Sequence, residues 1–225
     1  MPATVASSSS SSSRTRVRRR AARGAYDRAT IDAILDEALV AHVAFVAAGQ
    51  PYAIPMLFAR AGDELFLHGS PLSRIVGTLR DGVPVCATVT ILDGVVLARS
   101  AFHHSLNYRS VVVLGTARAL EDPAAKRAAL DALVEHAIPG RTREARGPSD
   151  AELAATEVLA VPLAEASAKV RTGPPLDDEA DYALPAWAGV VPLTMSAGAP
   201  VPDPRGPAGI EPPPYVTPYQ RPRLE

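Results

Sequence analysis

Hydrophobic and polar residues alternate along much of the chain between residues 40 and 171, a pattern typical of strands that bury one face. Asp93-Gly94 is a strong signal for a two-residue hairpin turn, and Gly49 and Gly62 mark two further turns. Six or more antiparallel strands joined by tight turns predict a barrel. The predicted strands cover residues 40–46, 52–60, 64–68, 83–92, 95–99, 109–120, 158–163 and 166–171.

Four shorter stretches have helical signals and lie around this β framework. Ile31, Ile34, Leu35 and Leu39 fall on one face of a first helix, which Asp27 or Thr30 can cap. Helices are also predicted over 73–80, from Pro123 to about His136, and after the capping box that begins at Ser149. The fold class is therefore mainly β with peripheral α-helices.

The two ends of the chain differ in composition from its centre. Residues 1–23 are rich in Ser and Arg and predict a disordered tail, because they hold too little apolar surface to offset chain entropy. Thirteen of the 22 prolines lie between Pro174 and Pro222. Residues 24–195 are expected to form one domain, and residues 196–225 a Pro-rich extended tail.

Charge and cysteine content narrow the function classes. Six arginines lie in the first 23 residues, so the remainder carries 17 basic against 24 acidic residues. An acidic body argues against nucleic acid as the main partner. The single cysteine, Cys86, allows no disulfide within the chain, and no apolar run is long enough to span a membrane. A cytoplasmic protein is expected, with no nucleic-acid or membrane partner.

Two polar clusters adjoin strands and predict a binding site. In the first, His68, Ser73 and Arg74 lie where a short strand gives way to a helix, a place that suits a phosphate. The second runs from His103 to Ser110 and leads into a strongly apolar strand. Together the clusters could hold a flat, anionic, hydrogen-bonding ligand such as a flavin nucleotide.

Several common site motifs are missing from the sequence. It contains no GxSxG, GxxxxGK[ST], HExxH or GxGxxG pattern, so hydrolase, NTPase, zinc protease and Rossmann functions lack support. His103 and His104 are adjacent and diverge in a strand, with no carboxylate spaced to complete a compact site. No metal site is therefore predicted.

The order of the motifs resembles that of a known family. The sequence is similar to the pyridoxamine 5′-phosphate oxidase-like, FMN-binding split-barrel proteins, specifically the branch near the nitroimidazole-resistance reductases. The similarity covers residues 23–192. The motifs that carry it are Ile54-Pro55-Met56-Leu57-Phe58, Leu67-His68-Gly69-Ser70, Ser73-Arg74, Val85-Cys86-Ala87-Thr88-Val89-Thr90, Asp93-Gly94 and the stretch from Ser105 to Gly115.

The resemblance implies a homodimer with one FMN in each interface cleft. By the same resemblance, the backbone of Pro55, Met56, Leu57 and Phe58 would line the flavin ring. His68, Ser73 and Arg74 would lie at its phosphate end. The side chains expected to approach the flavin from a neighbouring strand are those of Asn107, Tyr108, Arg109 and Ser110.

The expected activity is that of an FMN-dependent oxidoreductase acting on a small electrophile, with His68 and Tyr108 as the candidate catalytic residues. One alternative is an oxidase of the pyridoxamine 5′-phosphate type. The Pro-rich end beyond Pro212 does not resemble the terminal segment of that enzyme, and Ile75 stands where a second basic residue is common. Another alternative is a non-catalytic carrier of flavin, deazaflavin or haem.

Overall fold

The computed structural model describes residues 12–207, 209–217 and 219. The predicted tails fall partly outside this range, at residues 1–11, 208, 218 and 220–225. In the described residues the helices are α1 (Arg28–Glu37), α2 (Arg74–Arg80), α3 (Pro123–Ala137) and α4 (Asp150–Ala155). The strands are β1 (Gly24–Ala25), β2 (Val40–Ala47), β3 (Gln50–Ala61), β4 (Glu64–Gly69), β5 (Pro84–Leu97), β6 (Ser105–Thr116), β7 (Arg118–Ala119), β8 (Glu157–Pro162), β9 (Glu165–Arg171) and β10 (Gly189–Pro192).

The strands described by the structure form one antiparallel sheet in the order β1-β9-β6-β5-β2-β3-β4-β8-β7, and β10 pairs with β5. Inward side chains such as Val43, Leu67 and Val111 are fully buried and form the core. Gly115 on β6 lies against β8, where an added Cβ would be 3.1 Å from Val161 Cγ1. The sheet therefore curls into a split barrel with peripheral helices, which confirms the predicted fold class.

Local capping explains where the helices begin. The Asp27 carboxylate accepts the backbone N–H of Thr30 at 2.8 Å, and α1 buries Ile31, Ile34 and Leu35 as predicted. Leu39, predicted on the same face, lies beyond the end of the helix at Glu37. Ser73 caps α2, and Asp122 with Pro123 opens α3. The capping box predicted at Ser149 is present at the start of α4. These caps confirm all four predicted helices.

The hairpin predicted at Asp93-Gly94 is wrong. β5 continues through this dipeptide, and its register against β6 shifts between Leu92 and Gly94 to form a bulge. Gly94 is needed because β10 pairs closely alongside, with an added Cβ only 2.8 Å from Val190 Cγ1. Pairing with a strand on each side outweighs the local turn preference.

Residues 12–23 contact the body, although their composition predicts a disordered tail. Thr15 is buried, and the Val17 N–H donates to the Tyr26 hydroxyl at 2.9 Å. Arg14 forms an ion pair with Glu165. These contacts join the described part of the tail to the domain through β1 and β9.

The C-terminal segment also contacts the body. Tyr219 donates its hydroxyl hydrogen to the Ala137 carbonyl at 2.6 Å, beside the end of α3. The Tyr215 ring packs against Gly140, whose φ of 93° requires a residue without a side chain. The described residues after Pro192 contain neither helix nor strand, as the proline content predicts.

Candidate functional site

The barrel opens at the point where β3 leaves β4. β4 pairs with β3 only as far as the register Phe58 to Leu67, after which His68 and Gly69 pair with β8 alone. Within the described residues, Gln50–Leu57 of β3 pairs with β2 on one side and with no strand on the other. Because alternate residues of a strand direct their backbone groups to opposite sides, every second residue of this stretch leaves its backbone groups on the free edge, where a ligand can reach them. Pro55 can offer only its carbonyl there, because proline has no backbone N–H.

A cavity of about 800 Å³ adjoins this opening. Leu57 and His68 form one wall, and α3 forms another through side chains that include Leu133 and Val134. The volume lies within the range typical of small-molecule and cofactor sites. The remaining lining residues are Leu130, Asp131, Ala137, Ile138, Thr142, Ala145, Arg146, Gly147, Pro148, Glu152 and Thr156.

His68 stands out because one of its ring nitrogens is buried without a hydrogen-bond partner. No residue in the described ranges donates to or accepts from its Nδ1. Burial lowers the pKa of the imidazole, which therefore stays neutral at physiological pH. A neutral imidazole with an unused nitrogen suits a ligand donor or a metal. The protein residues around it offer no such partner.

The mouth of the cavity is charged. The Arg146 guanidinium donates two hydrogen bonds of 2.8 Å to the Glu152 carboxylate, and both residues line the cavity. The hydrogen bond from Arg146 is the main cause that lowers the pKa of Glu152, and bonds from Ser149 add to it. The site thus combines an apolar interior, one neutral histidine and a polar entrance.

Arg74 lies at the other end of β3, near its turn with β2. Its guanidinium stacks over the Tyr52 ring at 4.7 Å, and Tyr52 stacks on Phe45 at 5.5 Å. Arg74 is exposed and forms no ion pair with any residue that the structure describes. The hydroxyl of Ser73 is used to cap α2, where it accepts the Val76 N–H.

The β6 residues have structural partners. Asn107 is buried; it accepts a hydrogen bond from Arg171 and donates to the Gly173 carbonyl at 3.1 Å. Ser110 donates to the Lys169 carbonyl at 3.3 Å, and Tyr108 pairs in register with Leu92 and Arg171. These contacts join β6 to β9 and to the segment after it.

Arg109 is held between two carboxylates. Its guanidinium donates to Glu37 at the end of α1, and to Asp93 in the bulge at 2.7 and 2.9 Å. The hydrogen bonds that Arg109 donates to Glu37, and next those to Asp93, raise the pKa of Arg109. Two carboxylates locally outweigh the single positive charge, so this arginine has little attraction left for a phosphate. The geometry does not support the predicted cofactor role of Arg109.

The residues predicted for one site therefore lie in three places. Leu57 and His68 share the cavity, Ser73 and Arg74 lie beside Tyr52, and Asn107–Ser110 join strands together. Phe58 is fully buried, and its ring centroid lies 4.9 Å from that of His136, whose ring is tilted against it, so the side chain of Phe58 belongs to the core. Sequence reasoning missed the α3 wall and Arg146, because α3 has an ordinary amphipathic pattern without unusual residues.

The described residues contain no helix long and apolar enough to cross a membrane. In the same part of the chain, no group of three or more His, Cys, Asp or Glu side chains is arranged to hold a metal ion.

Two of the solved structures that match this chain are similar to it over most of its length. The flavocytochrome Anf3 from Azotobacter vinelandii is 43% identical, with 92% of this chain and 96% of that chain covered and a TM-score of 0.86. The FAD and heme binding protein from Mycobacterium smegmatis is 44% identical, with 87% and 96% covered and a TM-score of 0.83.

A more distant match is a protein from Bacteroides thetaiotaomicron described as a 5-nitroimidazole antibiotic resistance protein. It is 28% identical over 65% of this chain and 86% of that chain, with a TM-score of 0.56. No curated protein matches significantly. The family model for pyridoxamine 5′-phosphate oxidase matches residues 27–170. The chain therefore belongs to the flavin-binding, pyridoxamine 5′-phosphate oxidase-like split-barrel family.

Proposed function

We propose that this protein is an oxidoreductase that binds a flavin along the free edge of β3 and a haem in the cavity under α3. The observation that carries the haem assignment is the buried, unpartnered Nδ1 of His68 in a largely apolar cavity. The two relatives at 43% and 44% identity, a flavocytochrome and a FAD and heme binding protein, support the pairing. This proposal adds a haem to the single flavin cofactor that the sequence led us to expect.

The cavity residues fit a haem in three respects. The volume of about 800 Å³ and the leucine-rich α3 wall suit a large apolar ring. His68, neutral because burial lowers its pKa, would hold the haem iron through its unpartnered ring nitrogen. Arg146 at the mouth can donate to the carboxylates that a haem carries, in competition with Glu152.

The flavin assignment rests on β3 and Arg74. The unpaired edge of β3 offers backbone donors and acceptors to the flavin ring at Pro55–Leu57. Arg74, which Tyr52 holds by stacking and no described carboxylate neutralises, is suited to bind the flavin phosphate. FMN, the cofactor expected from the sequence, has one phosphate and would need one such arginine contact. FAD has two phosphates and would need more than one contact of this kind.

When bound, the flavin supplies hydride and single-electron chemistry, and the haem supplies single-electron chemistry. The protein's own contribution is to hold the two sites at the same opening of the barrel. Leu57 lies at the end of the free edge of β3 and also lines the cavity, together with His68. The proposed substrate remains a small electrophile.

We also propose that the protein is a homodimer, which pairs through the outer face of β2, β3 and β5. Val40 and Val46 are 45% and 56% exposed there. Their cross-strand neighbours, Leu57 and Pro51, are uncharged. The other outward positions along these pairs are His42, Ala44, Ala53, Pro55, Cys86 and Thr88, among which His42 and the Cys86 thiol are the titratable groups. A face of this composition is suited to contact a second copy.

Titration with hemin tests the haem assignment. We expect the wild-type protein to bind hemin with a Soret band characteristic of histidine ligation, and the variant His68→Ala to lose that band. His104→Ala is the matched control, because His104 is exposed on the surface. Unchanged hemin binding by His68→Ala would remove this residue from the proposal.

Flavin titration tests the second site. Arg74→Gln should weaken the binding of FMN or FAD by about 1.5–3 kcal/mol, the cost of a lost charged hydrogen bond. Riboflavin, which has no phosphate, should bind both proteins equally. Arg80→Gln, on an exposed arginine at the end of α2, should leave all three dissociation constants unchanged. An equal loss for riboflavin would show that Arg74 does not contact the phosphate.

A further inference from the structure

A run of arginines before β1 is held against the body. Thr15 is buried, the Val17 N–H donates to the Tyr26 hydroxyl at 2.9 Å, and Gly24 pairs with Lys169 on β9. The run therefore has a defined place beside the β9 edge of the sheet. We call its members after Arg14 the basic strip, which consists of Arg16, Arg18, Arg19, Arg20 and Arg23.

The side chains of the basic strip have no carboxylate partners in the described part of the chain. Arg14, just before the strip, pairs with Glu165. Many arginines elsewhere are paired with acids, as Arg60 is with Asp36 at 2.6 Å and Arg109 with Asp93 at 2.7 Å. Four of the five strip arginines are exposed, and Arg23 is half-buried. The strip thus presents an unneutralised positive charge.

The positive field extends onto β9. Arg171 is 6% exposed and pairs with no carboxylate of the described residues; its donors reach the Asn107 amide oxygen and the carbonyls of Gly173 and Pro174. Burial, and next the charge of Arg23, lower the pKa of Arg171. The arginines near this edge therefore repel one another, and an external anion would relieve that repulsion.

We propose that the basic strip is a docking surface for a small acidic electron-carrier protein. The proposal depends on the redox function proposed above, because a redox protein needs an electron source. Guanidinium groups bind carboxylates with two parallel hydrogen bonds, and opposite surface charges accelerate encounter. Each encounter would oxidise the carrier by one electron and reduce this protein by one electron, with no bond formed or broken.

The size and surroundings of the strip favour a compact partner over an extended polyanion. Residues 14–23 span at most about 35 Å even when fully extended. Beyond residue 23 the chain has 17 basic and 24 acidic residues, which would repel a long nucleic acid or an anionic membrane that extends past the strip. The strip has no aromatic residue to stack on bases and no Trp, Phe or Leu to enter a bilayer.

Binding of a plant-type [2Fe–2S] ferredoxin, used as the acidic probe, tests the proposal. Binding to the full chain is measured by calorimetry at about 20 and about 150 mM salt. We expect Arg18→Gln/Arg19→Gln/Arg20→Gln to weaken binding about tenfold at low salt, as expected for three exposed ion pairs. The matched control, Arg80→Gln/Arg143→Gln/Arg205→Gln, removes the same charge from exposed arginines elsewhere and should change binding less than about twofold.

Three results would overturn the proposal: no ferredoxin binding at low salt, an equal loss in both triple variants, or tighter strip-dependent binding to a short DNA duplex or to phosphatidylserine vesicles. Calorimetry reads association and does not depend on haem or flavin. Failure of the docking proposal is therefore distinguishable from failure of the proposed function, which the hemin and flavin titrations report.

Discussion

Arg74 and Arg109 are both arginines in predicted binding motifs, and their neighbours give them different roles. Arg109 is 13% exposed and neutralised by Glu37 and Asp93, whereas Arg74 is exposed and touches an aromatic ring. The residues next to each arginine in the sequence carry hydroxyl and apolar groups. They do not reveal the two carboxylates that pair with Arg109, because Glu37 lies on α1 and Asp93 in the β5 bulge. Contacts distant in sequence thus decide the role of each arginine.

The variant Arg109→Met tests this distinction. It leaves the Glu37 and Asp93 carboxylates largely buried and facing each other, so the free energy of unfolding should fall by about 3 kcal/mol in urea denaturation. Flavin affinity should not change. Arg118→Met is the control, because its ion pair with Glu64 is more exposed and should contribute less than about 1 kcal/mol. A stable variant with weakened flavin binding would restore the sequence-based role of Arg109.

His68 gives a pH-dependent prediction for the haem-free protein. Its pKa is lowered by burial from the ordinary value of 6.5, so the unfolded chain takes up a proton more readily than the folded one. The stabilisation is complete above pH 6.5 and is lost as the pH falls towards the lowered pKa. The free energy of unfolding of wild type should therefore fall more between pH 7.5 and pH 5 than that of His68→Leu.

Urea denaturation across this pH range measures the difference. His104→Ala, which removes an exposed histidine, should follow the wild-type pH dependence. Parallel curves for wild type and His68→Leu would show that burial does not affect the titration of His68.

At the scale of elements, β5 shows how long-range pairing overrides a local signal. It spans Pro84–Leu97 through an Asp-Gly dipeptide, and it pairs with β2 and β6 and, near its end, with β10. The glycine serves a close approach rather than a turn, because β10 pairs alongside it with Val190 and Val191 close to its Cα. The same bulge places Asp93 beside Arg109, so the irregularity also connects β5 to α1.

Gly94→Ala tests the close approach. The new Cβ would lie 2.8 Å from Val190 Cγ1 and 3.0 Å from the Val191 carbonyl oxygen, so β10 must shift. We expect faster amide hydrogen exchange in residues 189–192 and a lower melting temperature. Gly198→Ala, where an added Cβ meets nothing within 4 Å, is the control. Wild-type exchange in the Gly94 variant would contradict the observed packing of β10.

For the whole molecule, periodicity predicted the barrel, because alternating segments such as β2 fit only a sheet with one buried face. The starts of α1, α2 and α4 also follow from local sequence, because the side chains of Asp27, Ser73 and Ser149 cap these helices. The cavity was not predictable, since it arises from the distance between α3 and β4 and not from any motif. His68 was predicted as a site residue from its residue type and from the resemblance of the sequence to the family. Its burial could not be predicted, because it depends on the tertiary structure.

The proposed dimer belongs to this scale. Sedimentation should give about twice the chain mass of 23.6 kDa. Val46→Glu places a charge on the uncharged outer face and should shift the protein to monomer. Val201→Glu, on a 91% exposed residue of the C-terminal segment, should leave the mass unchanged. A wild-type monomer at micromolar concentration would contradict the dimer.

The most direct test of the central claim, that one barrel holds a flavin and a haem, is the absorption spectrum of the purified protein and of His68→Ala. The wild-type spectrum should show flavin absorbance together with a Soret band, and His68→Ala should keep the flavin absorbance and lose the Soret band. A wild-type spectrum without a Soret band, even after hemin is added, would contradict the account. So would an unchanged Soret band in His68→Ala.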